Sequence, residues 1–433
     1  RNSMAAPAPV PVNTVVVGGG HAGLSMSAVL KEAGKEHVVL EKGRVLEQWR
    51  SKRWDSFKLN TPVQYSVIYG QKPNKEAGFP PERMSIPRAE YVEFWLKYVK
   101  DAGLQVREGT EATSVTRDSN GKIVVVVKSE DGGPESYVCS NLINCCGNYQ
   151  LPRVPAFAQH IPSSINQLQI GEYTNSAALK DGAVLVVGGG QAGVQLAEEI
   201  IQAGKKVFLA TSFVPGSVRS YRGEDIFFWM ERIGFLGTTP VQLPAPAMRF
   251  GRIPITGNDH AISHHSLARA GATLFGKLEG VSEDGKTATF VPELKKNVGF
   301  AMETYAQLPA MIEGWIQAQG KEAEYPAPVA EPEWEVHQPL MDQEEQTTLD
   351  LEEANVQTIL WTTGWKADFG YLSGLPGLAA EFAQGPYGVP LTCTSDSEEG
   401  VFFLGFHWLR TLMSANMWGH HDDAKYILSL LRA

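Results

Sequence analysis

Two triplets of glycine carry the strongest chemical signal in this chain. Gly18, Gly20 and Gly23 lie in VVVGGGHAG, and Gly188, Gly190 and Gly193 lie in VLVVGGGQAG, at a constant offset of 170 residues. Each triplet follows a β-branched run and opens an apolar helical stretch that ends at a further glycine, Gly34 or Gly204. Glycines at this spacing permit a tight turn, a close approach of backbone to a pyrophosphate, and close packing of helix on strand. One copy alone is a weak signal. Two in matching contexts point to two nucleotides held by one chain.

Side chains beyond the loops separate the two nucleotides. Twenty-three positions past Gly18, the strand HVVLE ends at Glu41. A carboxylate there accepts bonds from an unphosphorylated ribose, as in FAD or NAD. The same offset from Gly188 reaches Thr211, followed by Ser212, with Arg219 and Arg222 close by. No carboxylate stands there to repel a 2'-phosphate, and hydroxyl and guanidinium donors could hold one, so this half suits NADP. The arginines could equally be ordinary surface charge, and Glu41 a solvated strand end.

The elements that must position these groups follow from the pattern. Residues 13–41 read as a βαβ unit, and a second begins near Ala183. A loop rich in Trp and Arg runs from Glu41 to Pro62. The segment IPRAEYVEFWLKYVKDAG has helical periodicity, with Tyr91, Phe94, Trp95 and Tyr98 on one face. Two runs joined by Ser119-Asn120-Gly121 read as a hairpin. The tips CCGNY and TTGW close two strands and are expected to be hinges. A helix is expected at about 297–319, and a terminal helix opened by Asp422 and Asp423. The expected fold is α/β: two Rossmann-like dinucleotide-binding domains, the NADP domain (165–345) inserted into a discontinuous FAD domain (10–155 and 350–433).

The bulk properties exclude several classes. A chain of 433 residues has room for two or three cores. Its net charge of -10 argues against a nucleic-acid partner. No apolar run is long enough to span a bilayer, and the first residues lack the apolar core of a signal peptide, so a cytoplasmic protein is expected. Residues 1–3, before Met4, read as an expression remnant. The four cysteines, Cys139, Cys145, Cys146 and Cys393, form no CxxC pair, which argues against a dithiol relay. His260, His264 and His265 have i, i+4 spacing but no nearby partner ligand, and they read as loop or surface histidines rather than a metal site.

The chain resembles the class B flavoprotein monooxygenase superfamily, which includes the flavin-containing, YUCCA-like, Baeyer-Villiger and N-hydroxylating groups. The resemblance rests on both glycine loops, Glu41, the Trp49-to-Pro62 loop, CCGNYQLPRVP, TTGW and the final strand-to-helix segment, and so spans nearly the whole chain. One hallmark is degenerate: Phe157 is present, but Gln159 and Ser163 replace the expected Gly and His.

The resemblance implies hydride transfer from NADPH to FAD, then reaction with O2 to give a C4a-hydroperoxyflavin that oxygenates a small molecule. Asn60 matches a family asparagine beside the flavin ring, or is a turn-former ahead of Pro62. Gln191 is a candidate contact to NADP, and Trp49 a candidate neighbour of the flavin or plain core. His420 and His421, expected just before the terminal helix, could tune the flavin or serve only its cap. Arg410 and Arg222 could grip a substrate carboxylate or pair with acidic residues.

N-oxygenation of an amine or amino acid is the favoured reaction. S-oxygenation, Baeyer-Villiger oxidation, and an NADPH oxidase or acceptor reductase are the alternatives, and a carrier that has lost catalysis is a further reading. The oligomeric state stays open, a homodimer being one option.

Overall fold

The computed structural model describes residues 8–66, 85–130, 132–243, 253–385 and 388–432. Two five-stranded parallel sheets dominate it. In the first, the order is Val401–Phe403, Asn141–Asn144, Thr14–Val17, His37–Leu40 and Val106–Arg107. In the second, it is Asn166–Gln169, Val356–Trp361, Ala183–Val187, Val207–Ala210 and Thr273–Phe275. The two central strands, TVVV and AVLVV, are buried along their full length. Short β-branched runs of this kind suit a parallel sheet covered on both faces.

The covering layers differ. In the first unit, helices His21–Glu32 and Met417–Leu430 pack together, and a second sheet runs Val10–Pro11, Ser136–Cys139, Ile123–Ser129 and Thr110–Arg117. One apolar core joins both sheets, from Val15 and Phe403 to Val115 and Tyr137. In the second unit, helix Gln191–Gln202 packs with helix His264–Arg269 on one side, and an antiparallel sheet of Leu278–Val281, Thr287–Phe290 and Thr348–Asp350 lies beyond. The hairpin expected around Gly121 is present, Thr110–Arg117 pairing antiparallel with Ile123–Ser129. Helix Arg88–Asp101 buries Tyr91 and Trp95.

Three expectations need correction. Val356–Trp361, assigned above to the returning first domain, pairs with both Ala183–Val187 and Asn166–Gln169, so the second sheet extends past residue 350. The single helix expected at 297–319 is two, Leu294–Tyr305 and Gln307–Gln319, broken at Ala306. The terminal helix starts at Met417, capped by the Asn416 side chain on Trp418 N–H, so Asp422 lies in the second turn. His420 and His421 are therefore inside the helix, and both are buried.

The chain passes between the units twice, and the two crossings are zipped together. Leu151–Pro152 pairs antiparallel with Trp365–Lys366, Arg153 N–H donates to Gly364 O at 2.9 Å, and the Thr363 hydroxyl donates to Arg153 O. No helix among the described residues is long and apolar enough to cross a membrane.

Candidate active site between two glycine loops

The two loops are built alike down to the atoms that forbid a side chain. Gly18 and Gly188 sit at φ +113° and +120°, a region that costs any L side chain strain. A Cβ on Gly18 would lie 2.7 Å from Cys145 O, and one on Gly188 2.5 Å from Thr362 O. A Cβ on Gly23 or Gly193 would lie 1.8 Å from the carbonyl of Gly18 or Gly188. These four glycines are therefore required by the protein's own packing. Gly20 and Gly190 differ, because a Cβ on either would meet nothing within 4 Å. Each is the N-cap of its helix, with no side chain closing the N–H groups. Open space over free amide donors is what an anionic diphosphate needs. The residues present fit a dinucleotide at both loops.

Glu41 is held as an acceptor at the first loop. Its Oε2 takes Gly19 N–H at 2.7 Å and its Oε1 takes Gly43 N–H at 2.8 Å. Burial pushes its carboxyl above the ordinary value, opposed by these two bonds. The equivalent residue of the second loop is closed off. Thr211 is 1% exposed, its Oγ1 lies 3.0 Å from His264 Nε2, and a Cβ on Gly189 would sit 2.0 Å from that oxygen. Burial lowers His264 to about 4, so this partner is neutral. His264 and His265 are thus core residues, not loop or surface ones, set in a helix that Ser263 caps. His260, by contrast, is partly exposed between Glu198 and Asp259.

The arginines have protein partners. Arg219 is buried, forms an ion pair with Asp225, and donates to Asn60 O at 2.8 Å. Arg222, at φ +47°, grips Glu313 through Nε at 2.6 Å and Nη2 at 2.9 Å, and donates to Pro326 O. A 2'-phosphate would have to compete with those carboxylates. Ser212 is half-buried, beside Thr211.

Asn60 is where the two units meet. Its Oδ1 accepts from Gln195 Nε2 at 2.9 Å, on the helix that the second loop opens. That bond orients the amide so that its NH2 donors face away from Gln195. Gln191, the first residue of the same helix, accepts Thr256 N–H at 2.9 Å, while its Nε2 is buried with no protein partner. Trp49 packs edge-on to His21 at 5.1 Å and tilted on Tyr91 at 4.9 Å.

His21, between Gly20 and Gly23, was visible in the motif yet passed over. Its ring stacks 6.4 Å from His420, and its own Nε2 is buried with no hydrogen-bond partner among the described residues, whereas His420 meets the Ala415 backbone. Burial holds His21 well below its usual value and His420 near about 4. The neutral His21 imidazole, with an unused Nε2 at the loop mouth, could bond a cofactor. The signal that would have flagged His21 is the one difference between the loops, His21 against Gln191.

Arg410 lies apart, 3.4 Å from Asp423 Oδ1 and with its guanidinium 4.3 Å from the Tyr426 ring centre, at a cavity of about 420 Å³. A larger depression of about 620 Å³ borders Asp181 and Asn355, at the amino ends of the second sheet's strands. Nucleotides bind such sheets at the carboxyl ends, so it is not the cofactor crevice. The cysteines are free thiols; burial raises Cys146 to about 12 and Cys139 to about 12. A thiolate relay is therefore unfavourable.

Two parallel sheets, two glycine loops of one geometry and a bridging asparagine are the fold and site of a two-dinucleotide oxidoreductase. The pyridine nucleotide-disulphide oxidoreductase family profile matches residues 15–222. An uncharacterized oxidoreductase, CzcO, from Bacillus subtilis is 30% identical over 263 residues, covering 59% of this chain and 71% of that protein. Among solved structures, a flavin-containing monooxygenase from Stenotrophomonas maltophilia is 17% identical, with a TM-score of 0.63 over 98% of both chains. DfoA, a cadaverine monooxygenase from Erwinia amylovora bound to FAD, is 15% identical with a TM-score of 0.64, over 98% of this chain and 94% of that one. The chain belongs with the CzcO oxidoreductases.

Proposed function

We propose that this protein binds FAD at the Gly18–Gly23 loop and NADPH at the Gly188–Gly193 loop, and inserts one atom of O2 into a small amine. The balance is one NADPH, one proton and one O2 consumed per oxygenated product, NADP+ and water. FAD supplies hydride acceptance and oxygen activation when bound. The chain's own residues do the rest. The loops hold the diphosphates, Glu41 accepts from the ribose, and Gln195 aims the Asn60 amide as a hydrogen-bond donor.

The Asn60–Gln195 bond is the observation that carries this reading. It ties the first unit's loop to the helix of the second loop, so that reactive ends of two cofactors can meet beside one amide. NADP is favoured over NAD because no carboxylate faces the second ribose position. The amine preference draws on the likeness to DfoA. The high thiol values oppose the disulfide-reductase chemistry that the matched family's description names.

The test is anaerobic reduction of the purified protein by NADPH or NADH, followed by labelled dioxygen with panels of amines, thioethers and ketones. One labelled oxygen in an amine product, with faster reduction by NADPH, supports the reading. Label only in a sulfoxide or an ester would move it to S-oxygenation or Baeyer-Villiger oxidation. Hydrogen peroxide matching NADPH consumption, with no labelled product, would make the protein an oxidase.

A further inference from the structure

The first turns of helix Met417–Leu430 serve two sides of the molecule. His420 reaches the first glycine loop, whereas Trp418, Asp422 and Asp423 line the 420 Å³ cavity behind it. Helix Ile226–Arg232 supplies the opposite wall through Glu231, and Leu236 closes it further along. A helix is about 10 Å across with its side chains, so the cavity lies about that far from the loop. Its volume is that of a small-molecule site.

Its charge is unbalanced. Three carboxylates face one guanidinium, Arg410, whose side chain is 39% exposed and already shared between Asp423 and the Asp422 carbonyl. Asp423 is only 2% exposed; Arg410 stands 3.4 Å from its Oδ1 and Ser414 lies beside the carboxyl, while its Oδ2 has no geometric hydrogen bond among the described residues. A buried carboxylate oxygen without a donor is costly and invites a cation. Among the described residues, Glu231 accepts from the Tyr65 hydroxyl. No three acidic, His or Cys side chains among the described residues converge as a metal site, which favours an extended organic cation over an ion. Trp418 and Leu236 offer apolar surface for its alkyl part, and the indole a face for its charge.

We propose that this cavity binds the ammonium end of a small aliphatic amine, with Asp423 and Glu231 as its acceptors. Only the fate of the bound molecule rests on the oxygenase reading: to be oxygenated from here, the amine would need a chain long enough to carry its reactive atom the further ~10 Å past the helix to the first loop. Specificity would then follow chain length as well as charge.

The test is calorimetric titration of the FAD-loaded protein, without NADPH, using butylamine, putrescine and butyrate. Saturable binding of the amines and none of butyrate is expected. Asp423→Asn and Glu231→Gln should each weaken amine binding at least tenfold. Gly237→Leu should abolish it, because Gly237 lines the cavity and a Cβ there meets nothing within 4 Å. If Asp423→Asn fails to fold, the other two variants decide.

Absence of amine binding, tighter binding of butyrate, or amine affinity unchanged in all folded variants would overturn the proposal. Amines that bind here but are never oxygenated would leave this site standing and sink amine oxygenation. Amines oxygenated equally well by every variant would do the reverse.

Discussion

The two glycine loops differ at a single residue, yet the helices they open differ at almost every position. At the constant offset, His21 faces Gln191, Ser25 faces Gln195, Ala28 faces Glu198, Val29 faces Glu199 and Glu41 faces Thr211. The first helix buries Ser25 and Val29, in a unit where it packs against the terminal helix. The second turns polar residues toward the first unit: buried Gln195 holds Asn60, and Glu199 accepts from Ser56 and Tyr173. Glu198 holds His260. One helix is a core element, and the other is also a clasp on the first unit's loop. Repetition thus preserves what the diphosphate demands of the backbone and frees the side chains to divide the labour.

The largest expected effect breaks the symmetry on purpose. Gly23→Ala and Gly193→Ala each drive a Cβ into a backbone carbonyl, at an expected cost of at least about 3 kcal/mol, since backbone yields less than a side chain. Gly23→Ala should yield colourless protein. Gly193→Ala should stay yellow but no longer be reduced by NADPH. Visible absorbance and anaerobic reduction check both, and a colourless Gly193→Ala beside a yellow Gly23→Ala would invert the assignment of the loops.

Next is Arg219, which has no counterpart at the first loop. Arg219→Ala would strand Asp225, whose carboxyl burial already pushes up and the arginine holds down. Loss of about 3–5 kcal/mol is expected on breaking a buried pair. Arg222→Ala, whose Glu313 partner is 40% exposed, should cost about 1 kcal/mol or less. Denaturant unfolding measures both. A shift in the ratio of KM values for NADPH and NADH in Arg222→Ala, without destabilisation, would give that arginine a phosphate role after all.

Glu41→Gln tests the first loop's own device. Loss of charge-assisted bonds should weaken FAD binding by about 1.5–3 kcal/mol, roughly ten- to a hundredfold. The pH dependence has two opposite signs. Burial raises the folded carboxyl above 4.5, so the folded apoprotein takes up its proton first and gains stability as pH falls through that window. FAD affinity falls in the same window, because the acceptor is lost. Fluorescence titration of FAD should show this acid limb in the native protein and not in the Gln variant.

Much of this was legible in the chain. The glycine spacing, the β-branched runs before it and Glu41 after it are local signals, and the two loops, the helices they open and the two central strands stand where they read. The strand Val356–Trp361 was misplaced because pairing is non-local, and its apolar run suits either sheet. The break at Ala306 was legible in Pro309, which has no N–H for the Tyr305 carbonyl four residues back and whose ring crowds it, so the periodic pattern alone misled. Arg219 and Arg222 read as phosphate donors since the sequence shows charge but not the carboxylates, Asp225 and Glu313, that fold against them. His264 and His265 read as exposed because polarity is a poor guide where Thr211 can receive one ring and His337 N–H the other.

The smallest effect sharpens the clasp. His260 lies 3.0 Å from Glu198 and 2.8 Å from Asp259, and these partners raise it to about 9, the Glu198 bond most. A histidine raised on folding contributes stability that is full below its ordinary value of 6.5 and lost as pH rises through about 9. The ring is 42% exposed, so solvent screening limits the gain to about 1 kcal/mol or less. Thermal midpoints of native and His260→Ala protein should therefore differ by about one degree or less near about pH 6 and converge by about pH 10. Since Asp259 also holds Lys58 at 2.6 Å, part of that difference belongs to the contact between the units. Added salt should shrink it. A difference constant across the whole range would mean that His260 acts through packing, and that the clasp rests on Gln195 and Glu199 alone.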